Sequence, residues 1–291
     1  MDYLRGNASA SAIGLFVICR YLSAFPDGRF EDDLLRALQV LRTSGDSPDE
    51  AGSVLTASLA IGDGLGAIAR KGVSAPWIVE ADLAQRLRAD GDQWPWFRGE
   101  LLHRLTWNGL HELQTDGRVP DLILGLTWFL QLSPLSPPQL DWREGPEPLV
   151  NELNFQAVSR SDQWRPFQRW ALALGLARRS DQGRARVLIP DASTAIADQL
   201  PFLPPVASAT EWLAAVRRRL PVLGATTLLE QLPKGGTTWY QLPPGLVIGL
   251  LKLEKAGVLA LESSDDAADV IALGLGTPTR QVGRISRRVS M

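Results

Sequence analysis

The sequence predicts a mainly α-helical protein with small β-hairpins, built of tandem winged helix-turn-helix units. Three observations carry this expectation. Apolar residues recur at helical spacing through most of the chain, and three helical stretches are each followed by a glycine and a pair of β-prone runs. The stretch Ser161 to Leu200 also reads within itself as helix, hairpin and helix. The three passes are unequal and share no repeat by identity; the shared feature is the order of elements.

In the first pass, Ile13, Phe16, Val17 and Tyr21 trace a helical face that Pro26-Asp27-Gly28 ends. Phe30, Leu34, Leu35, Leu38 and Leu41 mark a second helix. Ser47 and Pro48, in the loop that begins at Ser44, can cap and open a third carrying Val54, Leu55, Leu59 and Ile61. Glycines 62, 64 and 66 are expected to break that helix, and residues 67–69 and 77–79 to flank a turn. A connecting helix is expected over Trp96 to Leu113.

The middle pass opens at Pro120 with Leu122, Ile123, Leu126, Phe129 and Leu130. A proline-rich loop and a short helix over Glu147 to Phe155 follow. In the third helix Trp164, Phe167, Trp170, Ala171 and Leu174 form one apolar stripe, which puts Arg165, Gln168 and Arg169 on the opposite face. Pro166 belongs near that helix's start, because deeper in it removes a hydrogen bond. Gly175 ends the helix, a turn at Asp181, Gln182 and Gly183 follows, and Val187-Leu188-Ile189 completes a two-stranded wing, with Asp191 capping the helix beyond.

The third pass opens on the capping-box pattern Ser208 to Glu211 and continues through Thr226 to Leu232 and a glycine-threonine loop. Pro243-Pro244 starts an aliphatic helix closed by Gly257. Residues 258–261 and 270–273 are expected to pair across the acidic turn Glu262 to Asp269. The units fall at 1–115, 116–204 and 205–275, with 276–291 a basic, flexible tail.

With 291 residues, 45% of them hydrophobic, the chain can bury two or three cores without staples. Thirty cations against thirty-two acids give a net charge of −2, so no global field draws it to nucleic acid or an anionic membrane. One cysteine, Cys19, excludes a disulfide framework and a multi-cysteine zinc site, and points to a reducing cytoplasm. No apolar run approaches the ~20 residues that span a bilayer.

The inventory argues against an enzyme. His103 and His111 lie roughly 12 Å apart along one helix, too far to share a metal. Gly62-Asp-Gly64-Leu-Gly66 follows a helix where a dinucleotide fingerprint needs a strand. Pro120-Asp121 and Pro190-Asp191 supply the first half of a restriction-nuclease pattern, yet no glutamate stands two residues before a lysine. No catalytic, cofactor-binding or metal-binding residues are therefore assigned, and no cofactor is expected.

Binding is the better expectation. Arg160, Arg165, Gln168, Arg169, Arg178, Arg179, Arg184 and Arg186 fall on the middle unit's recognition helix and wing, where side chains of this kind meet phosphates and base edges. Arg280, Arg284, Arg287 and Arg288 add a second cluster in the tail, in a stretch without acids. The aliphatic helix of the third unit instead reads as a surface for protein.

At Trp164, Phe167, Arg169-Trp170, Leu174-Gly175 and Leu188-Ile189-Pro190-Asp191 the chain resembles the DpdG-type proteins of bacterial islands that place 7-deazaguanine bases in DNA and restrict unmodified invaders. The similarity is clearest over residues 120–220. It implies membership of a multi-gene antiviral defence system and carries over no catalytic residue. The expectation is thus a cytoplasmic, non-catalytic DNA-recognition or adaptor subunit of that restriction system. Its expected partners are double-stranded DNA and other subunits of a defence complex, with neither a membrane nor a small-molecule substrate. The alternative is a winged-helix scaffold that touches only protein.

Overall fold

Serine 11 starts the first helix. In the computed structural model, which describes residues 2–38, 48–181, 186–234, 239–263, 269–276 and 279–288, its hydroxyl accepts from the Gly14 N–H and so satisfies one of the orphan amides of α1 (Ala12–Ser23). α2 (Glu31–Ala37) and α3 (Pro48–Gly64) follow, then β1 (Ile68–Ala69) and β2 (Ile78–Val79), antiparallel with Ile68 opposite Val79. Arg29 bridges Trp77 and so flanks the β2 side of this ribbon. A helix the sequence pattern does not signal, α4 (Ala81–Leu87), is capped by the Glu80 carboxylate, which accepts from the Asp82 and Leu83 amides. The connecting helix α5 (Trp94–Asp116) ends at Gly117, held at φ 66°.

The order then recurs as α6 (Asp121–Leu130), α7 (Pro146–Leu153), α8 (Ser161–Ala173), β3 (Ala177–Ser180), β4 (Val187–Pro190) and α9 (Ser193–Gln199). Here Gln139 bridges Val187, as Arg29 bridges Trp77 in the first set. The third set is β5 (Val206–Ser208), α10 (Ala209–Arg219), α11 (Thr226–Leu229), α12 (Pro244–Lys255), β6 (Leu259–Glu262), β7 (Ile271–Leu273), β8 (Arg280–Val282) and β9 (Arg284–Arg287). The protein is mainly helical, with small antiparallel strand pairs. No helix among the described residues is long and apolar enough to cross a membrane.

Several expectations need correction. The runs 258–261 and 270–273 do not pair: β6 lies against β9, and β7 against β8. Residues 280–287 are therefore two strands and not a flexible tail. The reason is two apolar anchors that the arginines obscure: Val282 of β8 and Ile285 of β9 are fully buried, and Ile285 sits between Ala207 of β5 and Leu261 of β6. On α1 the buried side is Leu15, Ile18, Cys19 and Leu22, while Ile13 is 51% exposed. The helix is wedged against α3 and α4 on that side, and the expected face meets α5 instead, with Phe16 5.4 Å from Trp94 and 5.2 Å from Phe97. α3 runs through Gly62, where a Cβ would come within 2.8 Å of Leu15 and Ile68. Pro166 is the sixth residue of α8, deeper than expected; the carbonyl it leaves unbonded, on Asp162, is at an exposed residue. Leu41, the loop 44–47, Arg184, Gln182 and Gly183, residues 235–238 and most of the acidic turn lie outside the described residues.

Three buried carboxylates join the sets. Asp121 accepts from the backbone N–H of Tyr3 (2.7 Å), Leu4 (3.0 Å), Arg5 (3.1 Å) and its own neighbour Leu122 (2.7 Å), which ties the first residues to the start of α6. Burial pushes its carboxyl above the ordinary value, opposed by the bonds from Tyr3, Leu4 and Leu122. Asp198 on α9 takes a two-point bond from Arg98 on α5, at 2.6 and 2.8 Å. Asp191 accepts from the Ser193 N–H, one position later than the expected cap, and pairs with Lys252 of α12. The aliphatic face of α12, expected to meet another protein, is buried against α9 of the same chain, and a Cβ at Gly249 would lie 2.9 Å from the Ser193 nitrogen.

Replacing Asp121 by alanine strands several buried amides and is expected to cost about 3 to 5 kcal/mol in urea unfolding; a loss below about 1 kcal/mol contradicts the anchoring role. Lys252→Met leaves the Asp191 carboxylate with one backbone donor and should cost about 1 to 3 kcal/mol, discounted because Lys252 is one-third exposed. Adding Asp191→Asn should recover part of that loss, and a strictly additive double variant rules the pairing unimportant.

Candidate nucleic-acid interface

The site is built outward from the stripe on α8. Trp164, Phe167 and Trp170 are at most 1% exposed. Trp164 stacks on Phe167 at 5.2 Å, and Phe167 meets Phe129 of α6 edge-on. The face opposite carries Arg165 to solvent. Gly175 ends the helix at φ 72°, where a Cβ would press within 2.9 Å of Thr194, so the chain can turn at once into β3 beneath α9. Arg178 and Arg179 are exposed on that strand.

Between α8, the β3–β4 ribbon and residues 139–144 lies a cleft of about 480 Å³. Residues 138–140 form its inner edge. Leu188 donates to the Pro138 carbonyl at 2.9 Å, and Leu140 to the Arg186 carbonyl at 2.7 Å. The Leu140 carbonyl in turn accepts from Trp164 Nε1 and Gln168 Nε2, both at 2.9 Å. Arg165, Gln168, Arg179 and Arg186 line this cleft together. Sequence reasoning missed its other wall, Asp141, Trp142 and Glu144. The signal was a tryptophan flanked by charges in a loop bracketed by Pro138 and Pro146.

The predicted residues fare unequally. Gln168 spends its amide on the backbone of its own chain. Arg169 donates to the carbonyls of Ala8 and Ala10, and burial of its guanidinium lowers its pKa. Arg179 and Arg186 share Asp181 at 2.9 and 3.4 Å and hold its carboxyl below the ordinary value, chiefly through the bond from Arg179. Arg160 pairs with Asp162 at 3.2 Å. These pairs sit in water, where screening leaves them weak and easily exchanged for another anion. Arg165 and Arg178 have no hydrogen bond or ion pair among the described residues. Arg184 lies outside them.

The second cluster is elsewhere. Arg280 donates from one nitrogen, Nη2, to both carboxylate oxygens of Glu254 at 2.9 Å, Arg284 lies 3.9 Å from Glu262, and Arg287 reaches the Leu200 carbonyl at 3.4 Å. Arg288 donates its backbone N–H to Val258. None of the four lines the cleft; they lie on or directly after β8 and β9.

Residues 160–186 hold seven arginines against two aspartates, a surplus of five positive charges; with a total of −2, the remainder of the chain carries −7. Among the described residues no three His, Cys, Asp or Glu are grouped to hold an ion. His103 lies 3.3 Å from the Arg219 carbonyl, apart from the exposed His111, and burial pushes the Cys19 thiol up to about 12. A second cavity, about 470 Å³, opens between α7 and residues 239–244; Leu149, Leu153, Trp239, Tyr240 and Leu275 give it an apolar lining.

A family model described as DpdG-like matches residues 4–267, most of the chain. No curated protein and no solved structure matches it.

Gln168→Ala removes one of the two donors that hold the Leu140 carbonyl. It should cost about 1 kcal/mol in chemical denaturation and speed amide exchange at 139–144 over that of α6; unchanged exchange there contradicts the role given to Gln168.

Proposed function

The chain belongs to the DpdG-like family, which associates it with the Dpd 7-deazaguanine modification system, and on that premise we propose that it is a non-catalytic DNA-recognition or adaptor subunit of that system. Each set of elements is read as a winged helix: three helices followed by a strand ribbon, with a bridging residue from the loop between the first two helices in the first and middle sets, and β5 flanking the ribbon in the third. In the middle set α8 is the recognition helix and β3–β4 the wing.

The observation that carries the reading is the concentration of charge. A surplus of five on one helix and its ribbon, in a chain otherwise acidic, creates a local field that attracts a polyanion and turns the remaining surface away from it. Arg165 and Arg178 are exposed, with no competing partner among the described residues. The pairs at Asp162 and Asp181 take up Arg160, Arg179 and Arg186, while Arg165, Arg169 and Arg178 face no carboxylate among the described residues. A second reading, a scaffold for protein, is favoured by the apolar groove beside α7, where Tyr240 is 61% exposed.

The double variant Arg165→Ala, Arg178→Ala should weaken binding to duplex DNA about tenfold or more and lower the slope of log K against log salt by roughly two, one for each lost phosphate contact. An unchanged isotherm removes the nucleic-acid reading. The scaffold reading then requires a partner subunit that stays bound through a high-salt wash without DNA and is released by Tyr240→Ala.

A further inference from the structure

We infer that the cleft between α8 and the β3–β4 ribbon is a pocket for a single nucleotide, its base against Trp142 and Glu144 and its phosphate against Arg165, Arg179 and Arg186. This rests on the nucleic-acid reading and sharpens it from contact with the backbone to recognition of a base. Contact with duplex phosphates alone can be made from a flat cationic face. Here the face is hollowed to about 480 Å³, within the ~300 to 1,000 Å³ typical of sites that enclose a small molecule.

The two signs of charge in the cleft define its ligand. Three guanidiniums line it and suit a phosphate, which takes two-point bonds from such groups. Asp141 and Glu144 line it too, and beside phosphate alone they would only repel. A carboxylate is favourable there when the ligand also brings N–H donors. Asp141 Oδ1 already accepts from the Arg143 and Glu144 amides, at 2.9 and 3.3 Å, which leaves Oδ2 open. The Glu144 carboxylate has no partner among the described residues. Trp142, half-buried beside them, offers a ring on which a base can stack.

The inner wall supplies rigidity. Trp164 and Gln168 spend their N–H groups on Leu140, so they hold the wall and do not compete for the ligand. Gly145 lets the 139–145 loop close tightly, because a Cβ at that position would collide with the Gln139 and Asp141 carbonyls. The chemistry thus selects a nucleotide whose base has an exocyclic amino group (guanine, adenine or cytosine) over thymine, since a carboxylate accepts from such a group but is repelled by the two carbonyl oxygens that flank the ring N–H of thymine. A free nucleotide and one extruded from a strand present the same groups.

The full chain is titrated with dGMP, dAMP, dCMP and TMP, read by calorimetry, and with a short duplex that is either fully paired or carries one unpaired base. Saturable binding of the amino-bearing nucleotides, about tenfold tighter than TMP and losing that preference in Glu144→Gln, assigns the pocket to free nucleotide. Preference for the duplex with an unpaired amino-bearing base, lost in Trp142→Leu or Glu144→Gln, assigns it to an extruded one. Binding of paired duplex with neither preference overturns the pocket and leaves the nucleic-acid reading standing. Absence of binding to any of these probes overturns both.

Discussion

The inward packing of the aromatic side chains on α8 is the constraint from which the rest of the site follows. Burying Trp164, Phe167 and Trp170 removes about 150 to 250 Å² each from water, worth roughly 4 to 6 kcal/mol apiece as an upper figure. Against this, the Trp170 indole N–H is buried without a partner among the described residues, which costs about 1 to 3 kcal/mol. Packing wins by a clear margin. Trp164 avoids even that cost, because its indole N–H holds Leu140. One ring therefore both fixes the rotation of α8 and builds the wall of the cleft beside it.

The acidic residues that a search for catalysis would seize upon are used for assembly. Asp121 gathers the amides of residues 3–5, Asp191 meets Lys252, and Asp198 meets Arg98. Each contact links parts of the chain far apart in sequence, so the three sets of elements are joined at polar, buried points as well as through apolar faces. The Gly245 carbonyl accepts from the Ala192 N–H while Gly249 lets α12 approach α9 closely, and this places the third set against the far end of the β4 strand that borders the cleft. The chain outside residues 160–186 carries a net charge of −7, against +5 within them.

Much of this was legible in the sequence, where local pattern and tertiary context agree. The stripe on α8 has helical period and only large apolar members, so its inward face and the outward Arg165 follow directly. Gly175 had to end that helix because it adopts a positive φ. Pattern failed where several faces of an element are covered. α1 is buried on one side and half-buried on another, so a single stripe through Ile13 chose the wrong face. Strand pairing failed for a different reason: β6 meets β9 across an intervening hairpin, and short-range reading favours the nearest β-prone run. The cleft's acidic wall was missed because Asp141, Trp142 and Glu144 resemble any charged loop until Gln139 is seen bridged to Val187. Likewise the engagement of Arg169 with Ala8 depends on where Asp121 fixes the first residues, which no local pattern encodes.

If the aromatic anchoring of α8 presents one cationic, hollowed face to nucleic acid, the footprint of a bound duplex is defined in advance. The direct measurement is amide hydrogen exchange of the full chain with and without duplex DNA at low salt. The account predicts slowed exchange confined to residues 139–144, 161–169 and 177–190. Protection centred on β8 and β9 or on the groove at residues 239–244, with none on α8 and its ribbon, would contradict it.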